Sequence, residues 1–551
     1  VPMQYRARPF VCGAIGPWNE KVLNRLIDAA PGGLSAIHRE PNAILLSSAK
    51  LERWTAGSAH GYLWSPVSEG GRPGSWREAA EERMAAGLCV ENGVPVLHSD
   101  GLGLQEIYLR AHGAALYFSV RIDPLLHLDD SRLHVDWAAW AALLITAVLD
   151  DQTPFEEVRR AEPATAYRYA DGRTSKVGFL PSWLTERTGP EVTPKALVET
   201  IAACLPRRRL RRVSVTLSGG WDSRLLAGLN RTITRNRMHA LTTSNDDGAE
   251  HDTGYATEVA RALRIRQHTV IPGPEAWLAE HHEVRRRLQY QSWQHTWLMP
   301  MARLTHQRRD LVLDGFAGDV LFRAKDYYTD VAAAPDPAAA RQIMWERVAS
   351  ARFTHEGVFA PGVPESVTEA SRPAFDRVAD ALGEHHLWPL FARLGFGTRQ
   401  ASTWLFEPET DLRFPFAHPD VLRAAARLPL TTRTTGDPLY RSMLRHAHAT
   451  SAALPSTNDP WPKKPLQARR QSSPAALARM TEAILAHDSV VTAFGPQLRR
   501  VLTDPEIRNR QGVWNPTLYP LQWASLLADW LTAYDSRLVP SPWPYVTKVR
   551  A

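Results

Sequence analysis

A chain of 551 residues is too long for one hydrophobic core, so two or more domains are expected, each large enough to fold without metals or disulfides. Its three cysteines, Cys12, Cys89 and Cys204, lie far apart and fit neither a disulfide framework nor a zinc cluster, which points to a reducing, cytoplasmic setting. The formal net charge of +7 suits an anionic partner such as a nucleotide or an acidic peptide. Nucleic acid is not expected, because the basic runs at 207–212 and 285–287 come without any aromatic or glycine-bearing nucleic-acid motif.

From about Pro9 to Tyr169 short apolar runs such as Ala43-Ile44-Leu45-Leu46 and Leu116-Tyr117-Phe118-Ser119 alternate with turn residues, the pattern of a strand-rich domain with some helices. The apolar run Trp137 to Leu149 is too short to cross a bilayer and reads as a buried helix, so no transmembrane segment is expected, and no signal peptide is visible at Val1 to Phe10. Thr185 to Pro190 reads as a linker. Thr193-Pro194 then supplies an N-cap and a first-turn proline for a helix to about Leu205. Strand signals at 212–217, 239–243 and 310–313 alternate with helical stretches at 223–229 and 250–263, which predicts a parallel sheet covered on both faces. From Asp336 onward the chain reads as mostly helical, broken by proline-rich stretches.

Ligands of a parallel sheet collect outside the carboxyl ends of its strands, where Ser218-Gly219-Gly220-Trp221-Asp222-Ser223 is expected to lie. Paired glycines let successive N–H groups face one concavity, Ser218 and Ser223 add hydroxyls, and the following helix adds its positive end, which together suit phosphate. Asp222 would repel phosphate unless a cation intervened, so it is a candidate Mg²⁺ ligand. No lysine of the kinase-like phosphate loop is present. A plain glycine turn is the structural alternative. Leu313-Asp314-Gly315-Phe316-Ala317-Gly318-Asp319 repeats the strand-to-glycine-turn pattern and offers Asp319 as a second metal ligand or, alternatively, a helix N-cap.

These two loops resemble those of the asparagine synthetase family of N-type ATP pyrophosphatases, in which Ser-Gly-Gly-x-Asp-Ser is followed by Ser-Gly-x-Gly-x-Asp-Glu-Leu-Phe. Tyr255-Ala256-x-x-Val259-Ala260 with His268, Arg413-Phe414-Pro415-Phe416, Tyr440-Arg441-x-x-Leu444-Arg445 and Leu454-Pro455 with Pro462-Lys463 extend the likeness. Asp100-Gly101-Leu102-Gly103, Leu116 to Ser119 and Thr153 to Val158 resemble the family's glutaminase domain more loosely. The resemblance implies an α/β chain: a degenerate Ntn-type glutaminase-like αββα domain at 1–190, then an ATP-pyrophosphatase domain at 191–551 with a doubly wound parallel sheet and a helical C-terminal extension.

It also implies ATP and Mg²⁺ as cofactors, with the nucleotide near Thr216, Leu241 and Thr243 and its phosphates on Ser218, Gly219, Gly220, Asp222 and Ser223. Asp314 and Gly315 border the nucleotide, and Asp222 and Asp319 hold the metal. Lys463 or Lys464 is the implied cation on the adenylate, with a solvated lysine pair as the alternative. Glu407 and Glu409 are candidates for positioning the amine, and Arg441 and Arg445, at i, i+4 spacing, for phosphate contact or plain surface pairing.

Two departures narrow the reading. The family's glutaminase uses an N-terminal cysteine; Cys12 falls at that place behind eleven residues and is expected to be a buried structural residue. Phe316 stands where β-lactam synthetases carry a tyrosine that relays a proton. The closest resemblance is then to lasso-peptide macrolactam synthetases, which implies a precursor peptide, a leader-binding protein and a leader protease as partners. A small-molecule amide synthetase and a non-catalytic scaffold are the alternatives.

Overall fold

The computed structural model describes residues 8–64, 71–146, 151–185, 189, 192–206, 212–234, 237–243, 251–271, 274–292, 298–308, 310–323, 325–350, 357–382, 405–406, 410–429, 432–433, 437–459, 474–506 and 518–545. The chain is mixed α/β, with antiparallel sheets in its N-terminal part and a parallel sheet with helices beyond.

Two six-stranded antiparallel sheets form the N-terminal part. The first orders its strands Arg159–Arg160, Tyr108–His112, Ala115–Ser119, Val11–Ile15, Ala43–Ser47 and Ser35–Glu40. The second runs Arg173–Gly178, Thr165–Ala170, Val94–His98, Ala86–Glu91, Ala59–Trp64 and Glu52–Ala56. Strand alternation sorts the side chains between faces. Val11, Ile15, Leu45 and Phe118 of the first sheet meet Trp64, Leu88 and Leu97 of the second in one apolar layer. Cys12, Ala14, Ile44, Leu46 and Tyr117 point the other way, onto helices Glu20–Asp28 and Trp137–Thr146. Gly13 is required by this packing, since a Cβ there would lie 2.0 Å from the carbonyl oxygen of Ile44.

The apolar layer under the first sheet continues into the C-terminal part. Trp140 packs on Trp530 at a centroid distance of 5.4 Å, Phe155 on the same ring at 5.0 Å, and the Trp523 indole donates to the Trp140 carbonyl at 3.1 Å. The backbone of Leu133 accepts from Val539 and donates to Arg537, both at 2.8 Å. Helix Leu518–Tyr534 is therefore held by the N-terminal layers as well as by its own neighbours.

The parallel sheet orders its strands Arg266–Val270, Met238–Thr243, Val213–Thr216, Leu311–Leu313 and Asp411–Arg413. The three strands anticipated near 212–217, 239–243 and 310–313 are present. Helix Pro194–Ala203 opens where expected, with the Thr193 hydroxyl accepting from the Ala196 N–H at 3.1 Å. The mostly helical reading beyond Asp336 needs one correction: Asp411–Arg413 is a fifth strand, pairing in parallel with Leu311–Leu313. Three residues are too few for a strand period to show.

The order of this sheet decides where a ligand can bind. The sequence of strands reverses at Val213–Thr216, whose two neighbours are Met238–Thr243 and Leu311–Leu313, so the loops after Val213–Thr216 and Leu311–Leu313 leave the same edge on either side of a crevice. Among the described residues no helix is long and apolar enough to cross a membrane.

Candidate active site

Both glycine loops converge at that crevice. The first leads into helix Trp221–Leu229, which begins two residues earlier than the sequence pattern indicates, so Asp222 sits in its first turn. The second leads into the single-turn helix Gly318–Phe322, again with its aspartate, Asp319, in the first turn. Ala317 rather than Asp319 occupies the cap, and it does so with φ of +73°, a left-handed conformation that costs a residue with a Cβ about 1–3 kcal/mol. The related motif quoted above has glycine at that point.

The loops touch through their glycines. A Cβ on Gly315 would lie 3.1 Å from the Asp222 Cβ, and one on Gly318 would lie 2.8 Å from the Asp222 carboxyl carbon, so any larger residue at 318 would push that carboxyl away. The Tyr440 hydroxyl donates to Asp222 Oδ1, and the Asp319 N–H donates to the same carboxyl. Burial first, and then the charge of Asp319, push the Asp222 carboxyl up to about 8, against the opposing pull of these hydrogen bonds and of Arg323. A buried carboxyl on which a second carboxylate charge acts is a place that a divalent cation suits, and the donor set of carboxylate oxygens fits Mg²⁺.

Within the first loop the N–H groups are already engaged by oxygen atoms. Gly219 N donates to Asp252 Oδ1 at 2.9 Å, Gly220 N to the Ser218 hydroxyl at 3.2 Å, and Trp221 N to Asn458 Oδ1 at 3.0 Å. Ser223 turns its hydroxyl back onto the Ser218 N–H and hydroxyl, each at 3.0 Å, which closes the turn. Arg224, one residue further and almost fully buried, donates to the carbonyls of Gly219, Ser451, Leu454 and Pro455. It thereby ties the loop to the segment that precedes Lys463 and Lys464. Two more arginines flank the loop's aromatic ring: the Arg323 and Arg441 guanidinium carbons stand 5.2 and 4.7 Å from the Trp221 ring centroid, and each is oriented by an acid, Asp437 at 3.0 Å and Asp459 at 2.5 Å.

The remaining anticipated residues are spread more widely. Thr216 ends its strand with its hydroxyl 3.3 Å from the Leu313 carbonyl, and Thr243 ends the neighbouring strand. Leu241 is fully buried among Met301, Ala302, Val312 and Phe406, leaving its side chain no surface to offer a base. Asp314 accepts from the Phe316 N–H at 2.8 Å, and the Phe316 ring packs edge-on against Phe414 at 5.5 Å. His268 is drawn to His239 and Arg308, at 3.2 and 2.9 Å. Arg445 is exposed. Glu407, Glu409, Lys463 and Lys464 lie outside the described residues.

Several residues at the site were given no role from sequence. Tyr440 was visible as part of the basic-helix pattern, and Arg224 and Asp252 adjoin motifs, but their partners lie far along the chain. Asp411, buried and 2.7 Å from Arg413 Nε, could not be placed until its strand was known.

The asparagine synthase family profile matches residues 194–526, more than half of the chain, and includes both loops, the parallel sheet and the Arg224-bound segment. The chain belongs to the asparagine synthase family. Membership implies an ATP-dependent amide-forming ligase, and enzymes of this family use ATP and usually Mg²⁺. No curated protein matches the chain significantly.

Cys12 is fully buried between Ser119 and Leu46 of the flanking strands, and burial pushes its thiol up to about 12. A thiolate is the reactive form, so this cysteine is inert in the fold. Iodoacetamide at pH 8 is expected to leave Cys12 unlabelled in the native protein and to label it after denaturation, read by peptide mass spectrometry.

A proton must leave Asp222 before a cation can bind. Because its carboxyl is raised above its unfolded value of 3.8, the metal-free protein should lose stability as pH rises from about 4 to about 8. Mg²⁺ should therefore raise the melting temperature more at pH 8 than at pH 6, and Asp222→Asn should abolish that difference. Arg224→Ala strands four carbonyls and should destabilise the protein by about 3 kcal/mol or more, seen as a lowered thermal midpoint.

Proposed function

We propose that the chain closes a macrolactam ring in a precursor peptide, joining the peptide's N-terminal amine to an internal Asp or Glu side chain with ATP cleaved to AMP and pyrophosphate. The observation that carries this reading is the state of Cys12. With its thiol buried and held in the protonated form, the N-terminal layers offer no route from glutamine to ammonia, so the attacking amine must belong to the substrate.

In the first step a carboxylate oxygen of the peptide attacks the α-phosphorus of ATP, and pyrophosphate leaves. The loop N–H groups of Gly219, Gly220 and Trp221 receive phosphate oxygens in place of those of Asp252, Ser218 and Asn458. Asp222 and Asp319 would hold Mg²⁺, which when bound neutralises charge on the departing pyrophosphate. Arg323 and Arg441, fixed over Trp221, stand beside this loop to receive negative charge. In the second step the amine nitrogen attacks the acyl carbon, the new C–N bond forms, AMP leaves and the ammonium proton passes to solvent.

Phe316 supports a peptide α-amine over a less acidic nitrogen. A phenyl ring relays no proton, whereas an α-amine with a pKa of about 7.7–8.0 is roughly a tenth neutral at pH 7 and needs little help. Lys463 or Lys464 is assigned the charge on the adenylate, because the segment leading to them is anchored on the nucleotide loop by Arg224 and by the Thr457 N–H on the Gly219 carbonyl at 3.2 Å. A substrate of this size calls for recognition beyond the ring-forming residues, which is the place for a leader-binding protein and a leader protease.

Incubating a linear peptide from a precursor encoded beside this chain, together with any such partners, ATP and Mg²⁺, should give a product lighter by one water with one AMP released per ring. Mass spectrometry should show the product abolished by acetylating the α-amine and reduced at least about 100-fold by Asp319→Asn. Release of pyrophosphate with a small amino-acid derivative, and none with any peptide, would replace this reading with a small-molecule amide synthetase.

A further inference from the structure

We propose that His38, Glu40 and His60 form a site for one divalent transition-metal ion, zinc before others, that clips the edge of the first antiparallel sheet onto the second. The site lies in the N-terminal layers, apart from the nucleotide loops, and does not depend on the function proposed above.

The geometry begins with an irregularity in the edge strand Ser35–Glu40. Ala36 stands opposite Leu46 and His38 opposite Leu45, so one extra residue, Ile37, is inserted between two successive pairs. Such a bulge re-aims the side chains that follow. Leu45 and Ala43 face the second sheet, and His38 and Glu40, paired with them, are turned the same way. His60 answers from the second sheet. It pairs with Val90 on the strand whose Ala86 and Leu88 fill the layer between the sheets.

The donor atoms have the spacing of a group that waits for an ion. Glu40 Oε1 is 3.7 Å from His38 Nε2 and 3.9 Å from His60 Nε2, and all three donors lie within 4.8 Å of one another. The two Glu40 distances are too long for hydrogen bonds, yet only a few tenths of an ångström above the roughly 3.4 Å between ligands of a tetrahedral zinc ion with bonds of about 2.0–2.1 Å. The His38 side chain is only 9 % exposed, and its Nε2 is buried without a hydrogen-bond partner, a costly arrangement for a polar atom aimed at a carboxylate and a second imidazole.

Two imidazoles and one carboxylate select zinc and its first-row neighbours over Mg²⁺. Two of the donors sit on one strand and the third on another, so little chain entropy is lost on binding, and His60 and Glu40 remain open enough for an ion to enter. The ion would join the edge strand of one sheet to a strand of the other.

The test uses the full chain, stripped by a chelator and titrated with Zn²⁺ against a chromophoric competitor in excess Mg²⁺. One equivalent should bind and raise the melting temperature. Glu40→Gln and His60→Ala, both at partly exposed positions, should weaken binding at least tenfold and remove the metal-dependent rise while melting like the metal-free wild type. Cys204→Ala, which breaks another group of potential ligands with His418 and Asp420, should bind as wild type does, and the Co²⁺ form should show no thiolate charge-transfer band. A wild-type chain that takes up no Zn²⁺, His60→Ala binding as tightly as wild type, or loss of binding in Cys204→Ala alone would overturn the proposal.

Discussion

A buried carboxyl at the mouth of a parallel sheet, with a second carboxylate charge acting on it, sets the terms for the rest of this site. Asp222 and Asp319 come from loops that leave neighbouring strands, and glycines at 315 and 318 let those loops close to contact. Left alone, the pair is electrostatically unfavourable, which is why burial and mutual repulsion keep a proton on Asp222 well above the usual carboxylate range. The surroundings answer that cost: Tyr440 and the Asp319 N–H donate to it, and Arg323 stands close. A site that is poorly satisfied without a cation is well suited to bind one.

Around this pair the cationic groups are themselves positioned with care for geometry. Arg323 and Arg441 each combine a face of Trp221 with an ion pair, to Asp437 and Asp459, which orients their guanidinium groups beside the first loop. Arg224 does a different job. Its two terminal nitrogens donate to four carbonyl oxygens, which fixes the spacing between the first glycine loop and the segment beyond Ser451.

What could be read from the sequence was local. The first glycine loop, the second glycine turn, the N-cap at Thr193, and three strands and two helices around them are each specified by residues adjacent in the chain. The strand Asp411–Arg413 leaves no period in three residues, and strand position alone does not say that the Leu241 side chain turns into the cluster with Met301, Val312 and Phe406. Tyr440 donates to a carboxyl 218 positions away, and the His38–Glu40–His60 group exists only once a one-residue bulge and the stacking of two sheets are known. Separations of that kind leave no trace in a single sequence.

The continuity of the core between the antiparallel and parallel parts has a further consequence. Trp140, Phe155 and Leu133 supply the surface on which Trp523, Trp530 and the strand-like turn at Leu538 rest. The part of the chain in which Cys12 lies buried is thus wanted as scaffolding, since deleting it would uncover several indole rings of the C-terminal part. The N-terminal layers therefore have a packing role that is independent of any chemistry of their own: they form one wall of the core on which the C-terminal helix rests.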